Sequence, residues 1–244
     1  MADIAQRTRL RWTKRRERLA LLQAAREYIR RGWPVIPGAW WSQELGRHIC
    51  DIPSCLSGGL HPAALDTGPV PAFSPPPNLA DFALAGEDDA RAQWRERPYS
   101  VLMPTGISCD VIEMAAASAA RIWPNGSLTS LHCPTAQLAP RSTIDTGPLT
   151  QDPTVFIVTQ RGESISSDTI NELTRHHVVL HREGSWIPLP PSSVSGGSMR
   201  WVVSPQQCDW QTLPLAQLTQ HILRRLVQLR SAPIPLDELG DSAA

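Results

Sequence analysis

The chain's 244 residues suffice for one generous domain with a buried core, and 41% hydrophobic with 19% charged content is that of an ordinary globular protein. Its formal net charge is zero, which excludes a global field drawing the molecule onto nucleic acid. No run approaches the roughly 18 apolar residues needed to cross a bilayer, and the basic N-terminus lacks the apolar segment of a secretory signal. The expectations are a cytoplasmic location and no membrane partner.

Charge and composition are nevertheless uneven. Residues 1–31 carry ten basic side chains against Asp3, Glu17 and Glu27, leaving the remainder mildly acidic. Lys14 is the single lysine beside 22 arginines, a skew that GC-rich coding produces and that points to an actinobacterial source. Five cysteines (50, 55, 109, 133, 208) without a secretory signal read as reduced thiols or metal ligands.

In chain order, residues 7–31 predict a helix with an apolar stripe through Leu10, Leu19, Leu21, Leu22, Ala25 and Ile29, stopped by Gly32 and Trp33-Pro34. Trp33 to Pro37 is a short apolar strand, residues 42–80 a Pro/Gly/Ser-rich loop, and Asp81 to Arg97 a helix. Val101 to Met103 and Asp110 to Met114 are strands around the turn Pro104-Thr105-Gly106, and Ala115 to Trp123 is a short helix. Residues 124–152 read as loop with at most one strand. Thr154 to Thr159 and His177 to His181 are β-rich, and Gly184 to Pro188 is expected to form a hairpin with Met199 to Ser204 around Ser195-Gly196-Gly197. Leu215, Leu218, Ile222, Leu226 and Leu229 fall at helical spacing. Helices and strands in mixed order give an α+β class.

His48, Cys50, Cys55 and His61 lie within fourteen residues, with Pro53, Gly58 and Gly59 to permit tight turns between them. Two thiolates and two imidazoles are the donor set of a structural Zn2+ site, a zinc knuckle whose four protein ligands would close the tetrahedron. His176, His177 and His181 form a second histidine group, read as surface or core residues because His177 and His181 are far apart along an extended strand. Nine tryptophans invite base stacking, but Trp33, Trp186 and Trp201 fall in predicted strands and are assigned to core packing.

The assembled motifs resemble the bifunctional primase/polymerase N-terminal domain of the archaeo-eukaryotic primase superfamily. The segments that carry the resemblance are Arg31-Gly-Trp33-Pro-Val-Ile-Pro37, Cys50 and Cys55 with His61-Pro62, and Trp94 with Pro98 and Pro104-Thr-Gly106. Further along are Cys109-Asp-Val-Ile-Glu-Met114, Gly184-Ser-Trp-Ile-Pro-Leu-Pro-Pro-Ser192 and Gly197-Ser-Met-Arg-Trp-Val-Val-Ser-Pro205. They run in order across about residues 20–230, the last block being the most specific. The resemblance implies a primase-polymerase-like mixed or antiparallel sheet with flanking helices. It organises the chain as a basic helix packed on the domain (1–31), the domain itself (32–231) with a knuckle insert (46–63), and a flexible tail (232–244).

The resemblance also implies a chemistry, in which Mg2+ or Mn2+ ions held by a DxD or DxE pair and a third carboxylate activate a 3′-hydroxyl and stabilise pyrophosphate. Asp110 and Glu113 are the candidate catalytic carboxylates, yet a spacing of three sends them to opposite faces of a regular strand. Ala115 occupies the i+2 position from Glu113, and Ser130-Leu131-His132 is the only match to the family's Ser-x-His phosphate contact between residues 115 and 180. Histidines 176, 177 and 181 stand where the third carboxylate belongs. The leading expectation is a catalytically degenerate domain that binds DNA or RNA, or a replication or regulatory protein, and derives from a replication or mobile-element ancestor. An active nucleotidyltransferase and a purely structural or regulatory protein are the alternatives. Arg11, Arg15, Arg18 and Arg200 are the candidate nucleic-acid contacts, because guanidinium groups fork onto phosphates.

Overall fold

A computed structural model describes residues 2–53, 55, 57, 59–64, 78–140, 153–162, 164–195 and 197–231, with backbone alone at residues 2–13, 125–127, 140 and 230–231. The expected tail at 232–244 lies outside them, as does Arg11's side chain. Helix α1 (Ala2–Arg30) ends where Gly32 adopts φ +79°, a left-handed stop that glycine takes without strain. Strands β1 (Ile36–Gly38), β2 (Trp40–Ser42) and β3 (Arg47–Ile49) follow, then a 3-10 turn at Leu79–Phe82. Helix α2 (Glu87–Glu96) opens with Glu87, Asp88 and Asp89, whose charge suits the positive end of the helix dipole. Next come β4 (Ser100–Pro104), β5 (Cys109–Ala115), α3 (Ala116–Ile122) and a 3-10 helix at Pro124–Leu131. The chain continues through β6 (Thr135–Pro140), β7 (Thr154–Gln160), α4 (Ser167–Arg175), β8 (Val179–His181) and β9 (Trp186–Pro188). It closes with β10 (Ser193–Val194), β11 (Gly197–Val203) and α5 (Leu215–Ser231).

The central sheet runs β10-β11-β6-β7-β5-β8, a second sheet runs β1-β4-β9, and β2-β3 form a separate ribbon; every named strand pair is antiparallel. This is the expected α+β class, its sheets antiparallel rather than mixed. Alternation along β5 divides the core. Cys109 and Val111 face a cluster that includes Leu21, Ala25 and Tyr28 of α1, while Ile112 and Met114 face α3, α4 and α5 through Ile122, Leu173, Leu218 and Ile222. The central sheet is thus covered on both faces. Among the described residues, no helix is long and apolar enough to cross a membrane.

Helix α1 is anchored by Leu21, Ala25 and Tyr28, at the i, i+4, i+7 spacing of one helix face. The Tyr28 hydroxyl donates to the Pro190 carbonyl at 2.6 Å and accepts from Trp201 Nε1 at 3.1 Å. Its ring stacks on Trp33 (5.7 Å) and meets Trp201 and Trp210 edge-on (6.3 and 6.2 Å). Trp33 and Trp201 are packing residues, as the sequence predicts, and burial raises the tyrosine's pKa well above its ordinary value.

Three expectations change. The helix α4 was not predicted; Ser166 caps it by accepting from Thr169 N at 3.2 Å, so the β-rich run expected from His177 shortens to the edge strand Val179–His181. The loop expected over 42–80 contains the β2-β3 ribbon. The predicted late hairpin does not form. β9 pairs with β4, Ile187 facing Met103, whereas β11 pairs with the short β10 and with β6. Pro188, Pro190 and Pro191 lack the N–H donors a central ladder requires, so this stretch follows β4, with Ser192 Oγ accepting from Val101 N at 2.8 Å.

Candidate functional site

Cys50 leaves the end of β3, and a turn in which Cys55 N donates to the Ile52 carbonyl (3.0 Å) brings the second thiol back. His61 is fixed from the other side. Its carbonyl accepts from Ala39 N, and Ala63 N reaches the Pro37 carbonyl, both at 2.8 Å, tying the loop to the β1-β2 stretch. One ligand atom each of Cys50, Cys55 and His61 lies within 4.8 Å of the others. His61 Nδ1 donates to the Gly59 carbonyl at 2.9 Å, which leaves the Nε2 lone pair turned to Cys55 Sγ at 3.5 Å. A tetrahedral ion with the usual Zn–S and Zn–N bond lengths would hold its sulfur and nitrogen about 3.6 Å apart. The tautomer, the spacing and the soft donor set therefore fit a metal.

His48 stands outside this group. On β3 it faces Trp41 of β2, ring centroids 5.1 Å apart at 68°, and it is almost fully buried. The two-residue step from Cys50 that made it a predicted ligand is spent inside the ribbon. The structure therefore assembles a Cys2His set, not the expected four ligands. Burial, the largest influence, pushes the Cys50 thiol's pKa up, against a backbone hydrogen bond at Ile52 that lowers it.

The two β5 carboxylates occupy different environments. Asp110 is fully buried on the face of α3–α5; its Oδ2 accepts from Gly162 N at 2.8 Å and lies 3.5 Å from Arg182 Nε. Arg182 also donates to the Gly162 carbonyl at 3.1 Å, so the carboxylate and guanidinium together clamp the turn after β7. Asp110 Oδ1 has no hydrogen-bond partner among the described residues. Glu113 lies on the α1 face, half-exposed, where its Oε2 meets His181 Nε2 at 2.6 Å. His181 Nδ1 meets Ser185 Oγ at 2.8 Å, giving the chain Glu113–His181–Ser185. The register that pairs Val111 with His181 and Glu113 with Val179 sets His181 on Glu113's face and Arg182 on Asp110's. No spacing in the sequence signals this pairing, which spans 68 residues.

The other histidines do not join it. His176 pairs with Glu172 at 3.3 Å, His177 occupies a left-handed turn (φ +56°), and His132, ending the 3-10 helix, is exposed. Of the predicted nucleic-acid contacts, Arg15 and Arg18 line a cleft between α1 and the β2-β3 ribbon, together with Trp40 and Trp41. Arg200 points out from β11 and donates to Gln137 at 3.3 Å.

The family model for bifunctional DNA primase/polymerase, N-terminal, matches residues 25–220, which contain both the Cys2His group and β5. No curated protein matches the chain.

Proposed function

The chain belongs to the bifunctional DNA primase/polymerase N-terminal family, and from that premise we propose a nucleic-acid-binding domain in which metal-dependent nucleotidyl transfer has been lost. One observation carries the reading: Asp110 and Glu113 project from opposite faces of β5. Two carboxylates that share a divalent ion must present oxygens to one point, as i and i+2 residues of a strand do. Here Asp110 is committed to the Gly162 turn and Glu113 to His181. Ala115, the i+2 neighbour of Glu113, offers no donor.

Cys50, Cys55 and His61 would hold structural zinc, which in such a site contributes folding energy. Three protein donors leave the fourth position to solvent or to a side chain that moves in with the ion; His48, on the neighbouring ribbon, is the residue proposed for it. DNA or RNA is the proposed partner, through the arginines of α1.

Primer extension with Mg2+ and with Mn2+ tests the catalytic half of the reading. The expected result is no incorporation above that of a Glu113→Ala, His181→Ala double variant. Incorporation by the unsubstituted chain that Glu113→Ala abolishes would instead assign Glu113 and His181 to a working nucleotidyltransferase.

A further inference from the structure

The cleft between α1 and the β2-β3 ribbon has a volume of about 610 Å3, within the range typical of small-molecule sites. Arg15 and Arg18 line one wall, Trp40 and Trp41 the other, and Arg97 and Glu96 lie at the end of α2. The two α1 arginines make no ion pair among the described residues, although acidic side chains are near. Glu17 is turned to Ser193 Oγ (3.5 Å), and Glu44 meets Lys14 at 3.5 Å across the mouth. That Lys14–Glu44 pair is 71% and 82% exposed, and an exposed pair of this kind opens at little cost. The Arg97 guanidinium lies 5.9 Å from the Trp40 ring centroid, so a cation already occupies one side of that indole.

The lining combines three chemistries. Guanidinium groups without carboxylate partners suit phosphate. Half-buried indoles supply flat surfaces of the kind on which bases stack. The Glu96 carboxylate accepts from amino and imino N–H groups and repels a bare polyanion. We propose that this cleft binds one nucleotide unit, its base against Trp41 and its phosphate on Arg15 and Arg18. Inorganic phosphate would satisfy the arginines alone, and a duplex would keep its bases out of reach of the indoles. The residues of α1 that line the cleft, Lys14 to Leu21, precede residue 25, where the family match begins. Trp40, Trp41, Glu96 and Arg97 lie within that match, so the cleft is built between the matched domain and the part of α1 before it, and no β5 residue is among its described lining.

The inference rests on the nucleic-acid-binding reading above for its ligand class, but the two can fail separately. Fluorescence polarisation of a labelled single-stranded decanucleotide, competed by GTP, by tripolyphosphate, by the unlabelled strand and by an unlabelled duplex of the same length, tests it on the full chain. The double variant Arg15→Ala, Arg18→Ala is expected to weaken strand binding about tenfold and to reduce the log–log salt slope by about 0.7, the contribution of one neutralised phosphate on a single strand. Trp41→Ala is expected to weaken it about 5- to 150-fold. Trp41→Leu, which keeps apolar volume without the stacking face, should behave alike and guards against a folding defect. Arg91→Ala, on α2 outside the cleft, should bind as the unsubstituted chain does.

Competition by GTP but not tripolyphosphate supports the proposal with a free nucleotide as the source. Competition by unlabelled strand alone supports it with a strand as the source. If tripolyphosphate displaces the strand as well as GTP does, if the duplex displaces it as well as the unlabelled strand does, or if the tryptophan variants bind normally, the proposal is overturned while nucleic-acid binding stands. Absence of any strand or nucleotide binding at low salt overturns both. Polymerase activity in the extension assay would overturn the proposed loss of catalysis and leave the cleft untouched.

Discussion

The Cys2His loop and strand β5 each hold a set of chemically capable residues close together in sequence, and the fold treats them in opposite ways. Cys50, Cys55 and His61 are spread over twelve residues and converge to within 4.8 Å, because turns and two hydrogen bonds to the β1-β2 stretch fold the loop back on itself. Asp110 and Glu113 lie within four residues and diverge, because a strand alternates its side chains. Convergence depends on the backbone between two residues more than on the number of residues separating them. Irregular backbone assembled the metal-type donor set here, while regular backbone separated the carboxylates.

The contrast can be tested on the thiols first, where the largest effect is expected. Burial pushes the Cys109 thiol up to about 12 and that of Cys133 to about 11. At pH 8 the Cys109 thiolate fraction then falls about 10^3-fold below that of an ordinary thiol. Iodoacetamide labelling read by peptide mass spectrometry should therefore reach Cys50 and Cys55 once a chelator is present, and leave Cys109 and Cys133 unmodified until the protein is denatured. Metal removal comes next. A chelator, or Cys55→Ser, should lower thermal stability by several kcal/mol, if zinc contributes folding energy as in small structural sites; elemental analysis of the purified protein finding no metal would remove this arm of the comparison.

On β5 the expected effects are smaller and unequal. Asp110→Ala leaves Gly162 N without its buried acceptor and should cost about 1–3 kcal/mol in urea unfolding. Glu113→Ala removes a half-exposed pair and should cost less than about 1 kcal/mol. Equal losses at the two positions would show that their environments do not differ as described. The smallest effect belongs to neither region. Glu87 is held below its usual range chiefly by hydrogen bonds from Arg30 and Arg26. With its folded pKa depressed, its contribution to stability is present above the unfolded value and is lost as pH falls through the folded one. Glu87→Gln should flatten that acid limb slightly.

Much of this was legible in the sequence, for identifiable reasons. Strands β4, β5 and β7 are runs of β-branched and apolar residues bounded by turn residues, and α5 shows its apolar spacing, so their existence follows from local pattern. The divergence of Asp110 and Glu113 follows from strand periodicity alone. Helix α4 does not stand out in the sequence because Ser167–Arg175 is polar apart from Ile170 and Leu173, its one local signal being the cap at Ser166. The pairing of β9 with β4 was invisible because strand partners are chosen by the whole core, not by the nearest turn signal. The Glu113–His181–Ser185 chain was hidden for the same reason, since it depends on the β5-β8 register. Spacing places His48 with the metal ligands, and that it stands apart from Cys50, Cys55 and His61 in this structure, against Trp41, depends on the pairing of β2 with β3.

The short segment between β8 and β9 has a mechanical consequence. Arg182 to Ser185 carries the chain from the edge of the central sheet into the three-stranded sheet in four residues. Thr105, just past β4, grips it: Thr105 N donates to the Ser185 carbonyl at 2.9 Å, and Thr105 Oγ1 to the Arg182 carbonyl at 2.5 Å. Gly106 (φ +77°) lies so close beneath it that an added Cβ would sit 2.3 Å from Glu183 N. The two sheets are stapled here, and the staple includes the serine that meets His181. Any breathing between the sheets must pivot at this end, so the Thr105 amide should exchange with solvent as slowly as those of the strands it joins.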